Sequence, residues 1–558
     1  MNNNNLSQKI LIVGMCCFIG LLSPAVMAQT PSDQTTKIKE VWVNTYSEGE
    51  GLREGLVDMV VDSSGNVYGT AVVDNKVDDE EYSIFKYTSK GELEWSKKLK
   101  EALGDTSDNH YLMYKMVLDN SGNIYVTGAV YSSIEHWDVL TVKFNASGQL
   151  QWSKIYKTSS FVDEVGYDIV INNSSTNQSV YVLSQKAIIK YDSKTGSPEV
   201  GGIVIDGEYG YPYAHLALDK EGNIILGSMT YNKIDRSSHY DLYIAKFDAS
   251  YGTKKWEQFY ENPYWKNGSD FIRGIAVDSD NNVIVAGSVY GASQSTTTTL
   301  MKLSSSNGAF LWTKMVQGWD DEVLVDNADN IITNTEIGIL SKYSPDGEQL
   351  WSMNQGEEST YMKLAIDGTG NIYALSIDYF GENMYTKKYN PNGEELWRKA
   401  YTGDMFSGSI ALDPMGNVFV GAAADPLHNY TDDIITIRYT EIPAIVFDLK
   451  MRDKKVQVGG TLTYGAVLTN KSNQAVDLYL GGEIRKSDGS ISWTIEPKQI
   501  HVGAQETVVE KMEFPIPSDA LSGSYKVDNF ITNNLDDFIW EKASMGVFVL
   551  PEPHQPDL

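Results

Sequence analysis

Cysteine is almost missing. The 558 residues contain two, Cys16 and Cys17, and both sit in an apolar stretch near the start. Past that stretch, no disulfide, thiolate metal site or cysteine nucleophile can form. Basic residues are also in deficit, with 45 Lys and Arg against 74 Asp and Glu, a formal net charge of -29 at pH 7. Nucleic acid needs a basic footprint for its phosphates, and anionic lipid needs one too, so neither is expected as a partner. The acidic surplus favours solubility and leaves cations, basic partners and neutral glycans open. Histidine occurs seven times, scattered, with no H-x-x-x-H or H-E-x-x-H spacing for zinc. No G-x-S-x-G elbow or Walker loop stands out.

The one long apolar run is residues 10–22. Lys9 precedes it, Ser23-Pro24 breaks it, and Val26-Met27-Ala28 offers a cleavage site. This reads as a secretory signal over residues 1–28, with the mature protein periplasmic or extracellular and not inserted in a membrane. A lipid anchor at Cys16 is the weaker alternative, because Met15 stands where a small residue is expected. Residues 29–37 read as a linker and 551–558 as a polar tail.

What the chain has in abundance is internal repetition. One element recurs eight times. Its first half is D-x-x-G-N after an apolar run, clearest at 62–66, 119–123, 219–223, 367–371 and 413–417. Its second half is Lys and an aromatic, then Gly, then Trp. Lys86, Gly91 and Trp95 show it, as do Lys143, Gly148 and Trp152, and Lys388, Gly393 and Trp397. Each repeat carries four short strands separated by turns built on Asp, Asn and Gly. A strand-rich repeat of this length is the mark of propeller blades. The repeats at 166–205 and 321–354 are degenerate. The first has Val200 where Trp is expected, and the second has Asp329 in place of the turn Gly. The eighth repeat ends at Arg438-Tyr439 without its Trp. Residues 42–46 read W-V-N-T-Y and match the W-x-x-x-Y of other fourth strands. The N-terminal strand is therefore expected to complete the last blade.

The pattern over about 38–440 resembles the bacterial β-propeller repeat families, the SBBP-type repeat in particular. Its Gly-x-x-x-Trp half is similar to the tryptophan-docking repeat of quinoprotein dehydrogenases. That resemblance implies a packing role for Trp. No residues here mark a quinone site, so no cofactor is expected. The expected fold is all-β: an eight-bladed propeller over 38–441, or a seven-bladed one if a degenerate repeat merges with its neighbour. Residues 443–550 then form a second all-β unit of seven strands. Its Asp488-Gly489, 515–519 and Leu521-Ser-Gly-Ser-Tyr525 segments resemble bacterial immunoglobulin-like sandwiches.

Propeller ligands tend to lie over the central channel. Four positions before each turn residue, the column reads Asp58, Lys115, Asp168, His215, Gly274, Glu322, Lys363 and Ser409. It is polar and varies, beside a repeated apolar column. Asp58, Asp168 and Glu322 are the candidate general acids and bases, if two approach as in glycoside hydrolysis. Lys115, His215 and Lys363 are ligand-binding candidates, with Tyr211 and Trp265 as loop aromatics able to stack on sugars. No metal is expected. The Asp turns lack the twelfth-position carboxylate of a calcium loop, where Val289 and Ile337 stand. The preferred reading is a secreted binding or scaffold protein engaging a glycan, peptide or protein. A carbohydrate-active hydrolase or lyase is the alternative, and a quinone-dependent oxidoreductase a distant third.

Overall fold

The computed structural model describes residues 36–551 apart from 50–51, 75–79, 133–135, 158–162, 174–177, 199–202, 205–213, 232–238, 251, 263–267, 291–295, 319, 336–337, 355–360, 379, 426–432, 452, 473–474 and 533–540. Among these the chain is all-β, with one four-residue helix, Leu99–Ala102. Eight antiparallel sheets of four strands occur. Sheets 1 to 7 span 53–98, 110–156, 168–204, 215–260, 269–317, 320–354 and 361–402, each in simple chain order. The eighth takes Asp404–Leu412, Val418–Asp425 and Asp433–Pro443, and its outer strand is Thr36–Tyr46 from the chain start. Trp42 lies opposite Arg438 and Tyr46 opposite Ile434, as the W-x-x-x-Y match implies.

The first strand of each sheet touches the first strand of the next, and Asp404–Leu412 returns to touch Arg53–Val61. The arrangement is propeller-like, with these strands innermost. Second strands such as Ser179–Leu183 and Ile372–Ile377 are buried throughout, because both faces are covered by neighbouring sheets. Outer strands such as Leu93–Lys98 are mostly exposed.

The sheets are held to one another by a recurring latch. The repeat Lys and the repeat Trp of one sheet donate to a single carbonyl in the outer turn of the next. Lys143 Nζ and Trp152 Nε1 both reach Ser193 O, at 2.9 and 3.1 Å. Lys302 and Trp312 share Pro345 O, and Lys342 and Trp351 share Pro391 O. The turn Gly lies against the Trp ring of the preceding sheet. A Cβ on Gly148, whose φ is +73°, would stand 2.8 Å from Trp95. This explains why Gly and Trp recur together. In the degenerate third repeat, Val200 lies outside the described residues, and Ile203 fills the Trp seat against Gly252. At the ring closure, Lys388 and Trp397 both donate to the Glu441 carboxylate instead of a carbonyl. Arg438 and Trp42 share Ser89 O.

After Pro443 two further sheets follow. One has the strands Ile445–Lys450, Thr461–Asn470 and Thr507–Pro515. The other holds Lys455–Gln457, Glu541–Leu550, Gly523–Thr532, Val476–Lys486 and Ile491–Val502. That makes eight strands where seven are expected. The extra one, Lys455–Gln457, pairs parallel with residues 548–550 and is too short to show alternation. Leu462, Leu468, Leu478, Ile484, Val527 and Val549 form the shared core. Trp493 packs on Tyr525, whose hydroxyl donates to Leu521 O at 2.9 Å. Ile442, from the last strand of the ring, is part of this same core, and Lys37 pairs with Glu541 at 2.6 Å.

Candidate functional site

The Asp turns are closed by hydrogen bonds. Asp119 Oδ1 accepts the backbone N–H groups of Ser121 and Asn123, and Oδ2 accepts Asn123 Nδ2 and the Tyr125 hydroxyl. In Asp219 burial acts to raise the pKa, but Lys246 and the Asn223 donors prevail and hold the carboxyl below its usual range. Two turns depart from Gly at the left-handed position. Asn281 has φ +62° and Asp329 +60°. Both link turns on neighbouring sheets: Asn281 Nδ2 donates to Glu221, and Asp329 accepts from the Ser279 N–H and hydroxyl.

The polar column stands four residues before the turn Asp or Asn on the innermost strands. In four of these strands a β-bulge falls just before the column, between Leu56 and Asp58, Met113 and Lys115, Ile272 and Gly274, and Asp320 and Glu322, and in sheet 8 it falls two residues earlier, between Met405 and Ser407. An extra residue there re-aims the side chain that follows. The three candidate carboxylates occupy equivalent positions and act alike. Asp58 Oδ2 accepts the Met116 N–H at 2.9 Å, Asp168 Oδ2 the Leu216 N–H at 2.8 Å, and Glu322 Oε2 the Leu364 N–H at 2.7 Å. In each case the donor follows the column residue of the next sheet. Asp58 and Asp168 also accept the N–H of their own following residue.

Each acid stands beside the basic column residue of the next sheet. Lys115 Nζ lies 3.6 Å from Asp58 Oδ2, and Lys363 Nζ lies 3.0 Å from Glu322 Oε1. Asp168 and His215 influence each other in the same order round the ring. Burial raises the Asp168 pKa against the pull of His215 and Lys115, and burial lowers that of His215 against Asp168. Both shifts favour the neutral forms. Lys115 is raised, first by the Asp58 charge, with burial opposing. The structure thus brings Asp58 to Lys115, Asp168 to His215 and Glu322 to Lys363, and ties each acid to backbone. Tyr211 and Trp265 lie outside the described residues.

Sequence reasoning missed a second set of acids. Four residues before the column, Glu54, Glu164 and Asp270 are each 1% exposed. Each retains one buried oxygen without a hydrogen bond among the described residues. Asp270 Oδ2 accepts the Asn262 N–H at 3.1 Å, and its pKa is pushed up to about 8, first by burial and then by Asp241 and Glu261. Their signal was an acid at the same offset before the column in the first, third and fifth repeats. Two surface cavities, of about 150 and 510 Å³, flank the short helix rather than the column, one lined by Tyr82, Leu99 and Tyr111, the other by Tyr46, Lys98 and Glu101.

Residues 241–378, from sheet 4 to sheet 7, match the family model described as outer membrane protein assembly factor BamB. The solved structures that resemble the chain include BamB from Moraxella catarrhalis, at 15% identity and a TM-score of 0.41, covering 72% of this chain and 97% of that one. The WD40 domain of SCAP from fission yeast has 8% identity and a TM-score of 0.43, covering 72% and 98%. PorZ, described as a surface component of the type-IX secretion system of Porphyromonas gingivalis, has 9% identity and a TM-score of 0.36, covering 89% and 75%. No curated protein matches.

Proposed function

We propose that this chain is an exported binding protein of the bacterial envelope or exterior. In this reading residues 38–441 are an eight-bladed propeller closed by its own N-terminal strand, and 443–550 are an immunoglobulin-like sandwich. A glycan, peptide or protein is engaged across the propeller face that carries the polar column. The observation that carries the proposal is the use made of the three carboxylates. Asp58, Asp168 and Glu322 each accept a backbone N–H of the neighbouring sheet. Acids so placed join blades and fix the mouth of the channel. A glycosidase needs two carboxyl groups facing one bond, one of them able to lend and take a proton. A rigid, polar, non-repeating rim on a repeated scaffold suits recognition instead. The bond from the Tyr525 hydroxyl back to Leu521 O, in the connection that leads from one sheet to the other, supports the sandwich reading, since a tyrosine corner of this kind recurs in such folds.

The test is incubation of the purified protein with bacterial and plant polysaccharides and with envelope protein extracts, reading retention and released sugars from the same samples. Retention without release is expected. Sugar release abolished by Asp168→Asn, with the fold intact, would replace this reading with the hydrolase.

A further inference from the structure

Below the polar column the innermost strands turn apolar, with side chains that pack in part against the cores between neighbouring sheets. Two residues further along the innermost strands, on the same strand face, stand Val60, Val117, Val170, Ala217, Leu324 and Ala411, apolar and half-buried. Above them the acids are withdrawn towards the backbone and the ammonium groups extend. Lys115 is 47% exposed against 11% for Asp58, and Lys363 is 36% exposed against 25% for Glu322. At 3.6 Å, Lys115 and Asp58 form an ion pair beyond hydrogen-bond reach, so Asp58 does not take up the Lys115 donors. The charges of Lys115, Lys363 and Arg273 all bear on His215, although they stem from sheets 2, 7 and 5. Lys115 and Lys363 hold equivalent column positions in sheets 2 and 7, so both stand at the same end of the ring. In a chain of net charge -29, a mouth where cations protrude selects anions locally.

The geometry points to this mouth as a site for the C-terminal carboxylate of a peptide whose last residue is apolar. The carboxylate lies between Lys115 and Lys363, and the apolar side chain enters the shaft. The acids alternating with these lysines offer acceptors for the preceding peptide N–H groups, which a fatty acid would leave unanswered. The inference rests on the binding reading above and names its ligand.

The test uses the full mature chain and a pool of N-acetylated pentapeptides ending in Val, Leu, Ile or Phe, as free acids and as amides, with octanoate as a third probe. Binding is read by ligand-observed NMR and calorimetry. The acids should bind at least about tenfold more tightly than the amides, since a charge-assisted contact is lost in the amide. That preference should shrink by about tenfold in Lys115→Gln and in Lys363→Gln, with unchanged unfolding midpoints, and should weaken with salt. Equal binding of acids and amides overturns the site, as does a preference intact in both variants. Octanoate binding more tightly than the peptide acids overturns the peptide assignment. If the pool fails while a polysaccharide or envelope protein is retained, this inference falls and the binding reading stands. Sugar release in that earlier assay removes the binding reading itself.

Discussion

Replacing Asp270 by Asn should make the protein more stable at neutral and alkaline pH. Asp270 sits in the innermost strand of sheet 5, 1% exposed. Its Oδ2 accepts the Asn262 N–H, and its Oδ1 has no hydrogen bond among the described residues. Asp241 and Glu261 act on it, and His239 Nε2 lies 3.3 Å from Asp241 and 3.9 Å from Glu261. Burial and the two neighbouring acids push its pKa up to about 8, from an ordinary 3.8. Between those values the folded protein holds a proton that the unfolded chain has released. Stability is therefore intact below about pH 4, falls as pH rises through the window, and is lowest above about pH 8. At 1.36 kcal/mol per unit, the full penalty is roughly 6 kcal/mol above pH 8. Asn keeps the acceptor for Asn262 and cannot ionise. Urea unfolding of wild type and Asp270→Asn, across about pH 4 to 9, should give curves that coincide within about 1 kcal/mol at the acid end and diverge steadily up to about pH 8. Parallel curves across the window would mean that the carboxyl is ionised in the folded state, and the account of its burial would be wrong.

Other consequences are equally accessible. Gly148→Ala should destabilise by more than Gly416→Ala. Both have φ near +80°, costing about 1–2 kcal/mol, but only Gly148 meets the ring of Trp95. Equal losses in thermal unfolding would remove the docking role of the turn Gly. Trp152→Phe keeps the ring contact but withdraws the donor to Ser193 O, and should cost about 1–3 kcal/mol by denaturant titration. A neutral result would leave the latch to Lys143 alone. Deleting residues up to 46 exposes the edge of Asp433–Pro443, so the product should self-associate on sizing columns. A well-behaved monomer would show that closure is dispensable.

The sequence made legible whatever repeats. The Asp turns, the Gly and Trp pairing and the closing strand at 42–46 follow from period and turn chemistry, and each appears where the residues put it. Partners that lie one repeat away were not legible. Nothing local tells that Asp58 holds the N–H of Met116, 58 residues on. The column could be picked out by its polarity, but the pairing of acid with next-sheet base depends on how adjacent sheets pack. Ile203 escaped because an aliphatic side chain in place of Trp carries no pattern. Asp329 looked like a weakened turn, yet its side chain joins neighbouring sheets, as does that of Asn281.

The latch has a consequence for how such a chain changes over generations. Its acceptors are main-chain carbonyls of Ala146, Ser193, Ser305, Pro345 and Pro391, three residue types whose side chains take no part in the bond. A repeat can drift, be duplicated or be exchanged with another and still be gripped, because no matching substitution is demanded of its neighbour. Glu441 is the exception, a side chain doing a carbonyl's task. It fixes which repeat ends the circle, so growth by copying is free everywhere along the ring except at its seam.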